Sequence, residues 1–257
     1  MSGEVVVVTG AAGGIGGCIT EAAQKCGWLV VGIDAQAPDV ATSLANEFVV
    51  GDVADAQVLR EAVTVAGHLG ELRGWVNNAA VFPSGPTHLL ELSELRRVFD
   101  VNVFAAILGM GVAASHWSAV GGRGSIVNVS SVQATRAFPE MCAYSASKAA
   151  LEAATRVAAV EYGAVGIRAN AVAPGTIITP AFADSLDALP PDEGRAVRAY
   201  WGTHHALRRT GAPQEVANAV TFLISDAASF ISGHVLAVDG GWGASAQAHL
   251  GRKEGGR

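Results

Sequence analysis

The amino-acid sequence predicts an α/β fold in which helices cover both faces of a parallel β-sheet. Short runs rich in Val and Ile alternate along the chain with longer segments of helical period. Most of these runs are apolar at consecutive positions, which is typical of strands that are buried on both faces. A glycine-rich turn joins the first run directly to the first helical segment. The chain has 257 residues, 50% of them hydrophobic, and we expect it to form one domain.

The elements are assigned in chain order. The predicted strands are Glu4–Thr9, Trp28–Asp34, Phe48–Gly51, Gly74–Asn77, Ser125–Val129, Ile167–Ala173 and Val235–Val238. The predicted helices are Gly14–Cys26, Asp55–His68, Ser93–Ser118, Ala143–Tyr162 and Pro213–Ser225. Ser93 is the expected N-cap of its helix, and Pro213 suits a first helical turn. Right-handed crossovers then give a single Rossmann-like, doubly wound domain with a seven-stranded parallel sheet, whose ligands bind beyond the carboxyl ends of the strands.

One long segment, residues 176–211, departs from this alternation. It is interrupted by Pro180, Pro190, Pro191, Gly194 and Gly202. Because the segment follows the carboxyl end of the sixth strand, we predict a lid that closes over a ligand and excludes water. The predicted domain spans residues 1–243, and we expect residues 244–257, which show no period, to form a loosely ordered tail.

Composition and charge exclude several classes of partner. The formal net charge is −6, and no block of Lys and Arg extends beyond Arg208 and Arg209, so nothing indicates a nucleic-acid or membrane surface. No uninterrupted apolar stretch approaches the about 18 residues of a membrane span, and the first residues lack the pattern of a signal peptide. We therefore expect a cytoplasmic protein with a small-molecule partner. The cysteines form no CxxC pair, and no cluster has metal-ligand spacing, so no metal is expected.

The glycine-rich turn is a candidate dinucleotide site. It includes Gly10, Gly14, Ile15 and Gly16 and passes directly into the first helix. Glycines allow a sharp turn and a close approach of the backbone to a pyrophosphate, and the helix N-terminus offers free N–H groups. A tight connection between strand and helix without any ligand is the alternative explanation.

Asp34 ends the second predicted strand, 18 residues after Gly16. A carboxylate at this position can accept hydrogen bonds from an adenine-ribose 2′-hydroxyl, and it would repel a 2′-phosphate. The next four residues, 35–38, are uncharged, so no Lys or Arg offsets that repulsion. Charge therefore favours NAD over NADP. A solvated Asp at a strand end is the plain alternative.

Tyr144 and Lys148 lie four residues apart on a helical segment and therefore share one face of it. A cation within roughly 4 to 6 Å can lower the pKa of a phenol by about 1 to 3 units, which would make Tyr144 a usable proton donor and acceptor. Ser131 follows the fifth strand, where its hydroxyl can hold a substrate oxygen against the tyrosine. Without Ser131, the pair could equally be an exposed helix face.

Together these motifs resemble the classical short-chain dehydrogenase/reductase family over residues 4–243. The one departure is Ala80, where the family's Asn-Asn-Ala-Gly element usually ends in Gly. The matching cofactor positions are Thr9, Gly10, Gly14, Gly16, Asp52-Val53, Asn77-Asn78-Ala79 and Pro174-Gly175-Thr176-Ile177-Ile178-Thr179. The matching catalytic positions are Asn102, Ser131, Tyr144 and Lys148. Ser131 is chosen over its neighbour Ser130 because it precedes Tyr144 by 13 residues, the family's usual spacing.

This resemblance implies an NAD-dependent oxidoreductase that interconverts a secondary alcohol and a ketone by hydride transfer. Tyr144 would exchange the substrate proton, Ser131 would position the reacting oxygen, and Lys148 would hold the nicotinamide ribose. Asn102 and a bound water would complete a proton relay with Lys148. Tyr144 and Lys148 thus also count among the cofactor contacts, and the implied substrate is a small or medium polar molecule such as a sugar, cyclic alcohol or hydroxy acid.

Two other classes of function stay open at this point. One is a non-catalytic nicotinamide-binding module that senses redox state or binds a partner protein. The other is an epimerase or dehydratase that keeps NAD bound. All four catalytic positions are filled, which favours the dehydrogenase over the sensor.

Several residues near the expected pocket have no assigned role. Gln133 and Arg136 lie between Ser131 and Tyr144 and hint at a polar or carboxylated substrate, although a solvated arginine is the commoner case. Trp201, His204 and His205 either line the lid or form a solvated loop face. Small residues crowd the two helices around Gly109 and Ala153, and the family resemblance implies that these helices build a homotetramer, with a dimer as the second possibility.

Overall fold

The computed structural model describes residues 3–37 and 44–245. Its strands are β1 (Glu4–Thr9), β2 (Leu29–Asp34), β3 (Glu47–Val50), β4 (Glu71–Asn77), β5 (Gly124–Val129), β6 (Ile167–Pro174) and β7 (Val235–Val238). They form one parallel sheet in the order β3-β2-β1-β4-β5-β6-β7. The predicted doubly wound α/β fold with a seven-stranded parallel sheet is confirmed. The predicted tail falls almost wholly outside the described residues.

The helices alternate with these strands. They are α1 (Gly14–Lys25), α2 (Ala56–Leu69), α3 (Leu92–Phe99), α4 (Ala105–Val120), α5 (Cys142–Tyr162), α6 (Pro180–Asp187), α7 (Pro191–Thr203) and α8 (Pro213–Ile224). Asp55 caps α2 by accepting a hydrogen bond from the Gln57 N–H at 2.8 Å. Pro213 occupies the first turn of α8, as predicted from its missing N–H.

The core consists of two layers, one on each face of the sheet. Successive residues of a strand point to opposite faces, so Val5 and Val7 of β1 pack in the layer with α2, α4 and α5. Val6 and Val8 pack in the other layer, with α1 and α8. All four side chains are fully buried, and each burial contributes about 1.5–3 kcal/mol. This is why the strand is apolar at consecutive positions.

The helix predicted over Ser93–Ser118 is one continuous stretch, but its start and interior differ from the prediction. It begins at Leu92 with Glu91 at the N-cap position, so Ser93 as N-cap is wrong. Between α3 and α4, residues Asp100–Phe104 form a π-helical turn. Such turns are frequent at functional sites, and this one carries Asn102.

The predicted lid segment is more regular than its prolines and glycines suggested. Pro180 and Pro191 do not interrupt helices but begin them, since each occupies the first turn of α6 or α7. Gly194 and Gly202 lie inside α7 and are buried, and a Cβ at Gly194 would approach the Leu186 carbonyl oxygen to 2.6 Å. The glycine therefore permits α6 and α7 to pack closely.

One helical stretch, Leu92–Val120, is long and apolar enough to cross a membrane by length and composition alone, with a mean hydropathy of 1.7 in its most apolar window. Of that window, 56% is buried inside the domain. Ala113, Ala114 and Trp117 face the sheet, and the Trp117 indole donates to the Leu72 carbonyl at 2.7 Å. The hydropathy of this helix thus reflects core packing.

Candidate active site

The candidate site lies at the carboxyl ends of the central strands. The strand order reverses between β1 and β4, because the chain runs outward through β2 and β3 before returning. In doubly wound sheets a ligand crevice opens at this reversal. Here it is bounded by the turn after β1 and by Asn78 and Ala79 after β4.

The turn after β1 has the geometry of a phosphate cradle. Gly10 and Gly14 adopt left-handed φ angles of +67° and +58°, which side chains rarely permit. A Cβ at Gly16 would lie 1.9 Å from the Gly10 carbonyl oxygen, so only glycine allows α1 to start so close to β1. No side chain caps α1 at Gly13, and a Cβ there would meet nothing within 4 Å. The first N–H groups of α1 therefore face open space, which suits an anion. Ile15, the other predicted contact in this turn, is partly buried.

Asn78 and Thr9 hold this turn against β4. The Thr9 hydroxyl accepts hydrogen bonds from the Asn78 and Ala79 N–H groups at 2.9 and 3.0 Å. The Asn78 side-chain amide donates to the carbonyls of Thr9 and Gly10 at 2.9 and 3.1 Å. Because both amide hydrogens of Asn78 are used in this way, its side chain shapes the cradle.

Asp34 lies at the end of β2, beside the cradle. Its carboxylate accepts hydrogen bonds from the Ala12 N–H at 3.0 Å and the Gln36 N–H at 3.3 Å. Of the salt bridges formed among residues 3–37 and 44–245, none involves Asp34. The carboxylate is therefore tied to the cradle by two backbone donors.

Asp52 and Val53 follow β3 on the same edge of the sheet. Val53 is buried, whereas Asp52 accepts from the Ala54 N–H at 3.0 Å and from the Arg97 guanidinium at 2.7 Å. Burial raises the pKa of Asp52, but these two hydrogen bonds outweigh it, so the pKa lies below its usual value. The carboxylate stays ionised and fixes the backbone that would contact an adenine.

The structure brings Ser131, Tyr144 and Lys148 together. The Ser131 hydroxyl lies close enough to the Tyr144 phenol to lower the pKa of that phenol. The Lys148 ammonium lies 5.5 Å from the centre of the Tyr144 ring and donates to the Val129 carbonyl at 2.8 Å. The neighbouring Ser130 is used differently, since its hydroxyl donates to the Glu152 carboxylate at 2.9 Å. Of the two serines, only Ser131 faces the tyrosine.

The proton affinities in this trio differ from the sequence-based expectation. Burial raises the pKa of Tyr144 above its usual value, and the Ser131 hydroxyl offsets this only in part. Burial also lowers the pKa of Lys148 to about 8. The expected net lowering of the Tyr144 pKa is thus not found, because desolvation of the phenolate is the largest effect on this group. At neutral pH the phenol is protonated and can donate to a carbonyl oxygen.

Asn102 lies close to this trio but is occupied by backbone groups. Its amide donates to the Val81 carbonyl at 2.8 Å and to the Ser147 hydroxyl at 3.0 Å, and its carbonyl oxygen accepts from the Val81 N–H at 2.8 Å. Asn102 therefore ties the π-turn to α5 and to the loop after β4. It makes no direct hydrogen bond to Lys148, so a joint role would need a bridging molecule.

The segment Pro174–Thr179 is held from several sides. The Gly175 N–H donates to the Val238 carbonyl of β7 at 3.0 Å, and the Thr176 N–H donates to the His205 imidazole at 3.1 Å. Ile177 forms a bridge with Gly211, and the Thr179 hydroxyl caps α6. His205 was not assigned to the site by the sequence, since two adjacent histidines give no sign of which one is buried.

The expected substrate residues lie on the loop after β5. The Gln133 side-chain oxygen accepts from the Ser145 hydroxyl at 3.3 Å. Arg136 is exposed and donates to the Gly243 carbonyl at 2.5 Å. Arg136 therefore holds the segment after β7 against the loop after β5.

An aromatic cluster joins this loop to α7 and to the segment after β7. The ring centres of Phe138 and Trp242 are 5.2 Å apart, and those of Phe138 and Trp201 are 5.9 Å apart. The His204 ring lies between Trp201 and Trp242, and its centre is 5.6 Å from that of Trp201 and 5.0 Å from that of Trp242. The aromatic cluster of Phe138, Trp201 and Trp242 forms an apolar wall, with His204 packed at its edge. The sequence offers Trp201 as a possible lid residue but gives no sign that it meets Phe138 and Trp242, which are far from it along the chain.

In the part of the chain that the structure describes, no three His, Cys, Asp or Glu side chains converge to hold a metal ion. The reactive groups that the chain itself brings together here are the Ser131 hydroxyl, the Tyr144 phenol and the Lys148 ammonium. The cradle, with its left-handed glycines, uncapped helix and flanking Asp34, fits a dinucleotide.

Known proteins share both this sequence and this geometry. A family described as enoyl-(acyl carrier protein) reductase matches residues 10–243. A cis-4-hydroxycyclohexanecarboxylate dehydrogenase from Sinomonas cyclohexanicum is 41% identical over 248 residues, which cover 93% of this chain and 96% of that protein. This chain belongs to the classical short-chain dehydrogenase/reductase family. As a member of that family it is an oxidoreductase that acts on the CH–OH and C=O pair.

Solved structures of short-chain dehydrogenases and reductases agree with this assignment. The aldohexose dehydrogenase of Thermoplasma acidophilum, in ligand-free form, superposes with a TM-score of 0.88 at 34% identity, covering 96% of both chains. The protein ElxO, solved with NADP bound, superposes with a TM-score of 0.85 at 27% identity, covering 95% of this chain and 100% of that one. A nicotinamide cofactor is thus general to the family, and the choice between NAD and NADP depends on the residues of each chain.

Proposed function

We propose that this protein is an NAD-dependent dehydrogenase that interconverts a cyclic or otherwise compact secondary alcohol and its ketone. The observation that carries the proposal is the grouping of the Ser131 hydroxyl, the Tyr144 phenol and the Lys148 ammonium, which lies 5.5 Å from the centre of the phenol ring. All three groups lie at the carboxyl ends of the strands, on the same side of the sheet as the glycine cradle. A proton-transfer group and a cofactor cradle therefore open onto the same crevice.

Each residue has a role that its contacts permit. Tyr144 donates its proton to the carbonyl oxygen in reduction and accepts the hydroxyl proton in oxidation. Ser131 holds the reacting oxygen against the phenol, since it already lies beside that group. Lys148 has two N–H donors left after its bond to Val129, and these suit ribose hydroxyls. The nicotinamide cofactor, when bound, would accept hydride in its oxidised form and donate it in its reduced form, and the positive charge of the oxidised form would favour the phenolate.

Asp34 supports NAD over NADP. A carboxylate held by two backbone N–H groups beside the cradle is suited to accept from two ribose hydroxyls. The same carboxylate repels a 2′-phosphate, and the four residues that follow it are uncharged. ElxO shows that family members with NADP exist, so the preference proposed here belongs to this chain's own Asp34.

The pocket walls support a compact ring-bearing substrate. Phe82 lies edge-on to Tyr144 with ring centres 6.2 Å apart, and the aromatic cluster forms an apolar wall on the lid side. Apolar walls with few polar groups suit a cyclic alcohol. The 41%-identical relative is a dehydrogenase of a hydroxycyclohexane carboxylate, which has this shape.

A homotetramer in the cytoplasm completes the proposal. Helix α4 exposes Ile107 and Leu108, the π-helical turn before it exposes Phe104, and α5 exposes Val157 and Val160. Several exposed apolar side chains on two neighbouring helices are typical of an interface. Pairing of α4 and α5 across a two-fold axis would bury them, and a second interface would give four subunits, with the dimer as the simpler assembly.

The test is a spectrophotometric screen of cyclic, sugar and hydroxy-acid substrates with NAD and with NADP. We expect turnover with a cyclic secondary alcohol and a kcat/KM at least about tenfold higher with NAD. The variant Asp34→Asn should lower the ratio of kcat/KM with NAD to kcat/KM with NADP. Asp226→Asn is the control, because Asp226 is exposed and pairs with Arg73 and Arg123. Binding of NADH without turnover of any alcohol or ketone would instead support a non-catalytic module, and turnover without a net change in NADH would support an epimerase or dehydratase.

A further inference from the structure

The buried imidazole of His205 touches the proposed cofactor segment but has no part in the chemistry described so far. It lies just after α7, and its side chain is 2% exposed. Its neighbour His204 is partly buried, and the hydrogen-bond partner of its ring among the described residues is the Tyr200 carbonyl, at 3.1 Å. Two adjacent and chemically identical side chains therefore have different surroundings, which offers a matched comparison.

The partners of His205 define its protonation state. Its Nε2 atom accepts a hydrogen bond from the Thr176 N–H at 3.1 Å, so Nε2 must carry a lone pair. Its Nδ1 atom lies 3.0 Å from the Trp201 carbonyl, so Nδ1 must carry the hydrogen. The imidazole is thus neutral, and it links the last turn of α7 to the backbone that follows β6.

Close packing leaves the imidazole one position. A Cβ at Gly175 would lie 2.7 Å from Nε2, so only glycine lets the ring approach this backbone. The Trp242 ring covers the imidazole with ring centres 5.0 Å apart, and Gly240 packs against its Cβ. The hydrogen bond to Thr176 is the only one that a side chain makes to the backbone N–H groups of residues 175–178 among the described residues.

We propose that neutral His205 is a positioning residue that locks Pro174–Thr179 in the conformation that receives the nicotinamide, and thereby couples α7 to cofactor binding. The proposal rests on the proposed function, because it assigns that segment to the cofactor. A protonated ring carries a hydrogen on Nε2 and would face the Thr176 N–H donor to donor. The lock therefore opens when His205 gains a proton.

The surroundings keep the imidazole neutral at physiological pH. Burial lowers the pKa of His205, and the charges of His204 and Arg209 lower it further. The Trp201 carbonyl and the Asp239 carboxylate oppose this without reversing it. Glu215 of α8 also lines this space, but it is paired with Arg209. Since the pKa of His205 in the folded protein lies below 6.5, the affinity for the cofactor should be constant above pH 6.5 and should fall as the pH is lowered further.

Two substitutions of the same histidine separate the lock from mere packing. His205→Gln places an amide oxygen near the position of Nε2 and can still accept from Thr176. His205→Asn places its amide near Nδ1, can still donate to Trp201, and leaves the Thr176 N–H without an acceptor. We expect His205→Asn to bind NADH about tenfold or more weakly at pH 7.5. We expect His205→Gln and the control His204→Asn to bind within about threefold of the unchanged protein.

The experiment is an NADH fluorescence titration of the four proteins at pH 7.5 and 5.5, with ¹⁵N NMR of the histidine rings in the ligand-free chain. The proposal expects an Nδ1–H tautomer for His205, a loss of NADH affinity that follows its titration, and no such loss in His205→Gln. If the unchanged protein binds NADH and His205→Asn binds it equally well with the same pH dependence, the proposal is overturned and the proposed function stands. If the unchanged protein binds neither NADH nor NADPH, both fail. If His205→Asn does not fold, the unchanged protein still tests the proposal. An NADH affinity that does not change as His205 titrates would overturn it.

Discussion

Replacing Lys148 with Met should stabilise the protein while removing its activity. The ammonium is fully buried, and burial lowers its pKa from 10.5 to about 8. A shift of this size corresponds to about 3 kcal/mol of destabilisation while both folded and unfolded states hold the proton, that is, below pH 8. The variant loses the hydrogen bond to the Val129 carbonyl, which costs about 1 kcal/mol. Met fills a similar volume, so we expect a net gain of about 2 kcal/mol at pH 7.

The sign of the pH dependence provides the sharper check. Between pH 8 and 10.5 the unfolded chain binds the Lys148 proton and the folded chain does not, so the stability of the unchanged protein rises with pH relative to the variant. The advantage of Lys148→Met should therefore shrink from about 2 kcal/mol at pH 7 to about 1 kcal/mol at pH 9.

Urea and thermal unfolding at a fixed protein concentration measure this difference. A gain of 2 kcal/mol corresponds to a rise in Tm of about 4–8 °C for a domain of this size. Lys25→Met is the control, because Lys25 is exposed and pairs only with Glu21, and it should change stability by less than about 0.5 kcal/mol. The explanation is refuted if Lys148→Met is no more stable than the original protein at pH 7. It is also refuted if the difference in the free energy of unfolding is as large at pH 9 as at pH 7.

Three further predictions concern the cradle, the assembly and an ion pair. Gly16→Ala should lower Tm by several degrees and weaken NADH binding about tenfold or more, because the new Cβ would meet the Gly10 carbonyl oxygen. Gly17→Ala is the control and should change neither quantity, since its Cβ would have its nearest contact at 3.8 Å. Calorimetry measures Tm, and fluorescence titration measures NADH binding. Val160→Asp should halve the assembled mass seen by light scattering, while Val165→Asp, outside α5, should not. Hydrogen bonds from Arg209 and, to a smaller extent, from the Ala212 N–H lower the pKa of Glu215 to about 2. The free energy of unfolding should therefore fall as the pH drops from 4.5 to 2. In Glu215→Gln, acid unfolding should show a smaller fall over this range.

Contradictory outcomes are specific to each case. Equal effects of alanine at Gly16 and Gly17 would mean that the close approach of α1 to β1 is not what the glycine permits. An unchanged mass for Val160→Asp would place the subunit contact elsewhere. An acid-unfolding curve that is the same with and without the Glu215 carboxylate would remove the ion pair as its cause.

The sheet and most helices follow from the sequence because their physical cause is local. Consecutive Val residues such as Val5–Val8 are buried on both faces, and this pattern is visible without any tertiary information. Pro180 and Pro191 were misinterpreted as interruptions, since a proline that ends one helix and a proline that begins another look alike in sequence. Glu91 as the N-cap and the π-turn at Asp100–Phe104 depend on packing against α5, which periodicity does not report.

The sequence predicts that the candidate catalytic residues lie close together, but it does not predict the pKa values of their side chains. The spacing of Tyr144 and Lys148 places both on one face, and the structure has them side by side. The direction of the Tyr144 pKa shift was not predictable, because it depends on how deeply the phenol is buried. The contact of His205 with Thr176 joins residues 29 positions apart and had no signal in the sequence at all.

The variant Tyr144→Phe tests the central claim most directly, because it removes one hydroxyl and leaves the buried ring in place. Steady-state turnover of a cyclic secondary alcohol and NADH titration are measured on the same preparation. The account predicts a loss of kcat by about 100-fold or more, the usual contribution of a positioned acid or base, with NADH affinity changed by less than about threefold. Unchanged kcat in that variant would contradict the assignment of proton transfer to Tyr144.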